Sequence, residues 1–280
     1  MIVYQEALHG TNGQFMQISE IVHHSKSAFQ EILVVETPRM GRVLILDGIV
    51  QTTEKDEFFY HEMLTHLPLF AHGAAARALI IGGGDGGILR ECLKHGALRA
   101  TMVEIDGEVV EVCRRLMPSL SAGAFEDARA ELIIADGIKY VLESRASFDL
   151  IIVDSTDPAG PGAVLFTEAF YRGCLDRLSP RGILVTQNGV PFYQRQELVD
   201  SVRFFRGLFP HGGFYRVAVP TYFGGDMALG WACKGEDITR TDPAVIRARF
   251  KAAKITTQYY NPEIHQAAFA VPAYLQAALG

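Results

Sequence analysis

The sequence predicts an α/β fold in which a doubly wound, mostly parallel sheet follows a small N-terminal antiparallel β domain. From Ala78 onward, helical segments alternate with short apolar segments, which read ALIIGG, ATMVEID, AELIIAD, FDLIIVD and GILVTQN. This alternation is typical of a parallel sheet covered by helices on both faces. The first part of the chain instead alternates polar and apolar residues over short runs, separated by turn signals such as Asp47-Gly48. We therefore expect a β domain over residues 1–54 and an α/β domain over residues 55–280.

Two further elements are predicted at the borders of the main sheet. The stretch EKDEFFYHEMLTHLPLF has apolar residues near helical spacing and charges at its start. It predicts an amphipathic helix that bridges the two parts of the chain and ends at Pro68. The segments FYRVAVP and MALGWAC follow one another without a long helix between them, which predicts an antiparallel hairpin at the edge of the sheet.

Length, composition and charge are those of an ordinary globular protein. At 280 residues, with 49% hydrophobic and 21% charged residues, the chain can bury a large core. Its net charge of -6, with no cluster of lysine and arginine, disfavours nucleic acid as a partner and weakly favours a cationic ligand. The first residues, MIVYQEALHG, lack the basic-then-apolar pattern of a secretion signal, and no apolar run approaches the roughly 18 residues of a membrane helix. We therefore expect a cytoplasmic protein that does not bind membranes.

The cysteines and histidines do not predict a disulfide frame or a metal site. Four cysteines lie far apart without a CxxC pair: Cys92, Cys113, Cys174 and Cys233. We expect reduced, buried thiols that act as small apolar side chains. The segment HEMLTH is similar to a zinc-binding HExxH helix, but His61 and His66 lie five positions apart and do not share a helical face.

The first strand of the α/β part runs into a glycine-rich loop. Gly82, Gly84 and Gly87 have the G-x-G-x-x-G spacing, and Glu104 ends the next strand, about 20 residues further on. In such folds this acid holds a ribose by its hydroxyls, so the pattern predicts a nucleoside site. Asp85 lies inside the loop, where a carboxylate would repel the pyrophosphate of a dinucleotide. It would also repel the carboxylate of S-adenosylmethionine, so a ligand with an amine and no carboxylate fits better.

Acidic residues also follow the third and fourth strands. Asp136, followed by Gly137, would accept a hydrogen bond from an adenine amine, or alternatively cap the next helix. Asp154 and Asp157, in VDSTDPAGPG, would face a substrate at the carboxyl end of a buried strand. The alternative is that Asp157 caps the helix beginning near Thr167, or that both acids solvate a turn. With Asp85, these acids predict a site for a polycation.

The chain resembles the spermidine synthases, a family of polyamine aminopropyltransferases. Similar segments occur in order from about Gln14 to the C-terminal region: LDGIVQTTEKDEFFYHEM, IIGGGDGGILRE, MVEID, the DG at 136 and 137, VDSTDPAGPG, LFTEAFY, TQNGVPF, VPTYFGG and YYNPEIHQAAFAVP. The resemblance implies a Rossmann-like sheet of the class I methyltransferase type as the catalytic domain, and a homodimer or homotetramer. It implies transfer of an aminopropyl group from decarboxylated S-adenosylmethionine to putrescine, which gives spermidine and 5'-methylthioadenosine. No cofactor besides this co-substrate, and no metal, is expected.

The resemblance also implies roles for individual residues. Asp154 would be the catalytic proton acceptor. The donor, or 5'-methylthioadenosine, would contact Gln30, Asp85, Glu104, Asp136, Gly137 and Pro161. The polyamine would contact Tyr60, His61, Asp85, Asp154, Ser155, Thr156, Asp157, Gln187 and Tyr222.

Alternatives stay open at this point. A methyltransferase would share the sheet and the nucleoside contacts, although Asp85 disfavours the methionine carboxylate. A noncatalytic polyamine-binding protein would keep the acids but would not need the donor pocket. Asp226 departs from the family pattern after TYFGG and would either favour a longer or more highly charged amine or point into solvent. Putrescine is the preferred acceptor, with cadaverine, diaminopropane and spermidine as alternatives.

Overall fold

The N-terminal part of the molecule is built from antiparallel strands. The computed structural model describes residues 2–155 and 165–279. Its first six strands are β1 (Ile2–His9), β2 (Asn12–Ile18), β3 (Glu20–Lys26), β4 (Glu31–Thr37), β5 (Gly41–Leu46) and β6 (Ile49–Thr53). Strands β1 and β2 form a hairpin, and the next four form a sheet in the order β3-β4-β5-β6. The predicted antiparallel β domain is confirmed, while its boundary at residue 54 stays a prediction.

The main sheet of the described residues has seven strands. They are β7 (Arg77–Gly82), β8 (Arg99–Glu104), β9 (Ala130–Ile134), β10 (Phe148–Asp154), β11 (Leu178–Gln187), β12 (His211–Val217) and β13 (Met227–Cys233). Their order is β12-β13-β11-β10-β7-β8-β9. Strands β7 to β11 pair in parallel, while β13 pairs antiparallel with both β11 and β12. The predicted mostly parallel sheet and its antiparallel edge hairpin are therefore confirmed.

Helices cover both faces of this sheet. They are α1 (Glu57–His72), α2 (Gly87–Leu93), α3 (Gly107–Leu116), α4 (Pro118–Ser121), α5 (Gly137–Glu143), α6 (Glu168–Arg177), α7 (Arg195–Leu208), α8 (Pro243–Ala253), α9 (Pro262–Ala267) and α10 (Ala273–Leu279). Along β7, Ile80 packs into the cluster that contains α1 and α2 residues, whereas Leu79 and Ile81 pack into the cluster that contains α5, α6 and α7 residues. Because both faces of the central strands are buried, their sequences are continuously apolar.

Helix α1 differs from its prediction in length and in burial. It continues through Pro68 to His72, because Leu69 and Phe70 are buried in the core and prolong the packed face. The helix ends where Gly73 adopts a left-handed conformation and its amide donates to the Leu69 carbonyl. The prediction of an amphipathic helix is also wrong, since α1 is buried on nearly all sides, including its acidic residues and histidines.

The predicted state of the cysteines is confirmed. Cys92, Cys113, Cys174 and Cys233 are all free and buried. Burial raises the pKa of each thiol, to about 11 for Cys233. Of the helices in the described ranges, none has the length and apolarity needed to cross a membrane.

Candidate active site

A crevice opens at the carboxyl ends of β7 and β10, where the chain order in the sheet reverses. Strand β7 has β8 on one side and β10 on the other, so the connections that follow β7 and β10 diverge. Open α/β sheets bind ligands at such a point. Gly82 and Asp154 are paired across the two strands, and a Cβ on Gly82 would clash with the Asp154 carbonyl oxygen. A glycine is therefore required where the loop leaves β7.

A cavity of about 370 Å³ occupies this crevice and collects the predicted site residues. All of those in the described ranges line it: Gln30, Tyr60, His61, Asp85, Glu104, Asp136, Gly137, Asp154, Ser155, Gln187 and Tyr222. Three further predicted residues, Thr156, Asp157 and Pro161, lie outside the described residues. The cavity also contacts the N-terminal part of the chain through residues of β1, β5 and β6.

Glu104 ends β8 and lies in the cavity beside the glycine loop. The residue is 8% exposed, and its carboxylate accepts a hydrogen bond from the Asp106 amide at 2.8 Å. Burial and the charges of Asp106 and Asp154 together raise its pKa to about 7, although the hydrogen bond from the Asp106 amide acts in the opposite direction. A group that donates hydrogen bonds to this carboxylate would favour its ionised form.

Asp106 connects Glu104 to the N-terminal part of the chain, and the sequence analysis did not identify it. Its Oδ2 accepts hydrogen bonds from the Ser27 hydroxyl at 2.6 Å and from Gln30 Nε2 at 2.9 Å. Its Oδ1 accepts from the Glu108 amide and so caps α3. One buried carboxylate thus fixes both the start of a helix and the side chain of a predicted donor-site residue. Its spacing two residues after Glu104 was the available signal.

Asp136 caps helix α5, as predicted by the alternative interpretation of this residue as a helix cap. Its Oδ1 accepts hydrogen bonds from the amides of Ile138 and Lys139 at 2.9 and 3.2 Å. The residue also lines the cavity, and its Oδ2 has no partner among the described residues. The cap therefore leaves one oxygen for a ligand, and the two readings are compatible.

Asp154 ends β10 and is joined to Tyr60 of α1. The Tyr60 hydroxyl donates to Asp154 Oδ1 at 2.6 Å. Burial and the neighbouring Asp85 charge together raise the pKa of Asp154 to about 6, while Tyr60 and His61 act in the opposite direction. Such a carboxyl group is mostly ionised at neutral pH and still accepts protons, which suits a general base.

Asp85 lies in the glycine loop, and its pKa is lowered whereas that of Asp154 is raised. Its Oδ1 accepts a hydrogen bond from the Gly87 amide at 2.7 Å, and its Oδ2 lies 3.2 Å from His61 Nε2. Burial alone would raise the pKa of Asp85, but His61, the Gly87 amide and Arg90 outweigh burial and lower it. Within the cavity, the pKa of Asp85 is thus lowered and that of its neighbour Asp154 is raised, and such a pair of acids can take different roles.

Aromatic and polar groups line the rest of the cavity near Asp154. The Tyr60 and Tyr222 rings meet edge to face with centroids 5.9 Å apart, and the Tyr222 hydroxyl donates to the Gln51 carbonyl at 2.6 Å. Glu6 of β1, which the sequence analysis did not identify, lines the same region and is 4% exposed. It accepts hydrogen bonds from the Val50 amide and from Gln14 Nε2.

Ser155 and Asp226, which the sequence also singled out, differ in their relation to the cavity. The Ser155 hydroxyl is buried and finds no partner among the described residues, although its residue lines the cavity. Asp226 is not among the cavity-lining residues; it forms an ion pair with Arg216, and its side chain is 38% exposed. The structure thus gives Asp226 a partner that neither reading of its role had predicted.

Comparison with known proteins gives consistent results over the whole chain. Residues 57–242 match the spermine/spermidine synthase domain, and residues 2–54 match the spermidine synthase tetramerisation domain. Polyamine aminopropyltransferase 1 of Pseudomonas aeruginosa is 51% identical over 99% of this chain and 97% of that protein. The polyamine aminopropyltransferase of Shigella boydii is 49% identical over 99% of this chain and 96% of that protein.

Solved structures of similar fold lead to the same family. A spermidine synthase in complex with the transition-state analogue AdoDATO has a TM-score of 0.95 and 40% identity, and the match covers 99% of this chain and 94% of that one. Spermidine synthase from Thermotoga maritima has a TM-score of 0.93 and 40% identity, over 100% of this chain and 94% of that one. The family predicted from the sequence motifs is confirmed: this chain belongs to the spermine/spermidine synthase family.

Proposed function

We propose that this protein transfers the aminopropyl group of decarboxylated S-adenosylmethionine to putrescine, which gives spermidine and 5'-methylthioadenosine. The observation that carries the proposal is that Asp85 and Asp154 line one cavity, with Asp85 beside His61 and Asp154 beside the Tyr60 hydroxyl. Membership of the family, and relatives named polyamine aminopropyltransferases, support the same reaction. The similarity to a spermidine synthase bound to AdoDATO supports a donor site of this kind.

The chemistry requires a neutral amine, which is scarce at neutral pH. An alkylammonium like that of lysine has a pKa near 10.4, so presenting the neutral form at pH 7 costs roughly 4 to 5 kcal/mol. Carboxylates alone would raise this pKa further, whereas burial and the positive sulfonium of the donor lower it. Holding the two cations side by side in the cavity therefore helps to create the nucleophile as well as to orient it.

In the proposed step, the nitrogen lone pair of the amine attacks the methylene carbon next to sulfur. The carbon–sulfur bond breaks, and its electron pair stays on sulfur as the thioether of 5'-methylthioadenosine. The attacking nitrogen gives its proton to the Asp154 carboxylate, whose hydrogen bond from Tyr60 keeps it oriented. A pKa of about 6 leaves Asp154 mostly ionised at neutral pH and ready to take this proton.

The remaining polar residues divide between the two substrates. We propose that Glu104 holds the ribose hydroxyls and that Asp136 with Gly137 holds the adenine, with Gln30 beside them. Asp85 would bind the amine of the aminopropyl group and repel the carboxylate of S-adenosylmethionine, which disfavours methyl transfer.

The second ammonium of the acceptor would lie at the end of the cavity near Tyr222 and Gln187. Glu6 supports this placement because it lies near Tyr222. Glu6 accepts a hydrogen bond from the Val50 amide, and the next residue, Gln51, accepts one from the Tyr222 hydroxyl. The predicted roles of Thr156, Asp157 and Pro161 concern residues outside the described ranges.

The state of the working protein is also part of the proposal. The match of residues 2–54 to a tetramerisation domain supports an oligomer, which we propose to be a homodimer or homotetramer. We propose that it acts in the cytoplasm without nucleic acid or membrane partners, and without a metal or a cofactor besides the donor.

Mass spectrometry of the products tests the reaction and the acceptor together. The protein is incubated with an equal mixture of putrescine, cadaverine, diaminopropane and spermidine, and with decarboxylated S-adenosylmethionine or S-adenosylmethionine as donor. We expect spermidine as the main product, formed only with the decarboxylated donor. Methyl transfer, or no aminopropylated product, would contradict the proposed function.

A further inference from the structure

A chain of buried charges extends from Asp85 away from the cavity. His61 Nε2 lies 3.2 Å from Asp85 Oδ2, and His61 Nδ1 lies 2.6 Å from Glu57 Oε2. The same Glu57 oxygen accepts a hydrogen bond from Arg90 Nη2 at 2.8 Å. Neither Glu57 nor Arg90 has a part in the proposed reaction. We call Asp85, His61, Glu57 and Arg90 the charge relay.

The geometry of the relay fixes the charge of His61. A neutral imidazole carries one N–H and one bare nitrogen, so either tautomer would direct a lone pair at Asp85 or at Glu57. Only the doubly protonated ring donates to both carboxylates, and its side chain is 2% exposed, so water does not supply an alternative partner. The ion-pair geometry therefore favours an imidazolium, with one carboxylate beside each ring nitrogen.

The other charges around His61 agree with this assignment. Burial alone would lower its pKa, but the carboxylates of Asp85 and Glu57 outweigh burial and raise it well above the ordinary value. In the described residues, the charged groups that face the ring are Asp85 from the glycine loop, Glu57 from α1, and Asp154 from β10. Arg90 of α2 balances Glu57, whose pKa is lowered by His61 and Arg90 against the effect of burial.

Each member of the relay is also fixed in position. Arg90 Nη1 donates to the Leu120 carbonyl at 2.6 Å, which anchors the outer end of the relay. A Cβ on Gly87 would clash with the His61 ring, so the ring packs directly on the backbone whose amide holds Asp85. A displacement of His61 would therefore move the Asp85 carboxylate.

We propose that Glu57 and Arg90 are positioning residues that hold His61 as an imidazolium. This imidazolium in turn orients the ionised Asp85 carboxylate, which binds the amine of the donor's aminopropyl group. The inference rests on the proposed function for the identity of that amine. In this scheme His61 acts through Asp85, because its ring nitrogens face Asp85 and Glu57. Loss of its charge would also leave Asp85 uncompensated and raise the pKa of Asp154.

The variant Glu57→Gln tests the relay, because it keeps the shape of residue 57 and removes its charge. A glutamine can donate to Nδ1, so His61 can be neutral and still donate to Asp85. NMR of histidine-labelled protein, with His61 assigned from a His61→Gln variant, should show that the ring loses its proton at a lower pH than in the wild type. We expect kcat/KM for decarboxylated S-adenosylmethionine to fall about tenfold to a hundredfold. Affinity for 5'-methylthioadenosine, which lacks the aminopropyl group, should change less than about threefold.

Glu91→Gln is the matched control, because Glu91 is a buried carboxylate on the same arginine. It pairs with Arg90 Nε at 2.8 Å and does not contact His61 or the cavity. Circular dichroism should show that both variants are folded. The control should keep the wild-type His61 titration and a donor kcat/KM within about threefold of the wild type.

Gly87→Ala provides a second, independent displacement of the His61 ring without removing a charge. Like Glu57→Gln, it should reduce kcat/KM for decarboxylated S-adenosylmethionine. The affinity for 5'-methylthioadenosine should again change less. An unchanged His61 titration in Glu57→Gln, or equal losses in Glu57→Gln and Glu91→Gln, would overturn the inference. The His61 titration needs no substrate, so a failure of the proposed reaction in the wild-type protein would be recognised separately.

Discussion

At the scale of single residues, the difference in pKa between Asp85 and Asp154 comes from their neighbours. Asp85 receives a hydrogen bond from a backbone amide and faces the His61 ring, whereas Asp154 receives one hydroxyl hydrogen bond and faces Asp85 itself. In the proposed reaction, the same residue type would therefore serve as a permanent anion in one place and as a base in the other.

Tyr60 is expected to set the pH at which Asp154 becomes a base. Its hydrogen bond lowers the pKa of Asp154, so Tyr60→Phe should raise that pKa. The acid limb of the kcat/KM profile should then move to higher pH by roughly half to one unit. Tyr222→Phe is the matched control, because its hydroxyl donates to the Gln51 carbonyl. A shift of equal size in both variants would speak against a specific effect of Tyr60.

Asp154 is expected to reduce the stability of the unliganded protein at neutral pH. Its folded pKa of about 6 lies above its ordinary value, so its favourable contribution is complete at low pH and is lost as the pH rises to about 6. The free energy of unfolding of Asp154→Asn, relative to that of the wild type, should therefore increase by about 1–3 kcal/mol from pH 4.5 to pH 8. Urea unfolding of both proteins at both pH values measures this change. An equal difference in the free energy of unfolding between variant and wild type at the two pH values would contradict it.

At the scale of elements, the sequence predicted where strands and helices occur better than what surrounds them. The hydrophobic spacing of α1 was visible, but the partners of its polar residues come from distant parts of the chain. Glu62, for example, accepts hydrogen bonds from the amides of Gln258, Tyr259 and Tyr260. Periodicity carries no information on such contacts, so the helix was predicted to be amphipathic when it is buried.

The start of α3 is expected to control donor binding through Asp106. Asp106→Ala removes the cap of α3 and the partner of Gln30, so it should lower stability by about 1 kcal/mol and weaken binding of 5'-methylthioadenosine about tenfold. Asp242→Ala removes a cap of the same kind from α8, where Asp242 accepts from the Ala244 amide. Calorimetry should find no loss of nucleoside affinity in this control. Equal losses in both variants would attribute the effect to general destabilisation.

At the scale of the whole molecule, the site could be predicted because parallel strands bring their carboxyl ends together. Gly82, Glu104, Asp136 and Asp154 follow successive parallel strands, and all of them line one cavity. Glu6 was missed, because it comes from β1, more than forty residues before its partner Val50, and no local pattern connects the two. The contact between β1 and β6 is tertiary, so a single sequence does not reveal it.

The cavity as a whole is expected to release protons when it binds a nucleoside. Glu104 has a pKa of about 7 in the unliganded protein, and hydroxyl donors favour its ionised form. The Kd for 5'-methylthioadenosine should fall as the pH rises from 5.5 to 7, by up to about tenfold per pH unit, and then level off. Calorimetry in buffers of different ionisation enthalpy measures the released protons. Glu104→Gln should bind more weakly and without this pH dependence, and an equal Kd at both ends of the pH range in the wild type would contradict the assignment.

The most direct test of the account is the rate of the chemical step in Asp154→Asn. Single-turnover kinetics with decarboxylated S-adenosylmethionine and putrescine at pH 8 should show a loss of about 10²–10⁴-fold. Affinity for 5'-methylthioadenosine should stay within about threefold of the wild type, because Asp154 is not among the residues proposed to hold the nucleoside. A variant that transfers the aminopropyl group at the wild-type rate would contradict the claim that Asp154 receives the proton of the amine.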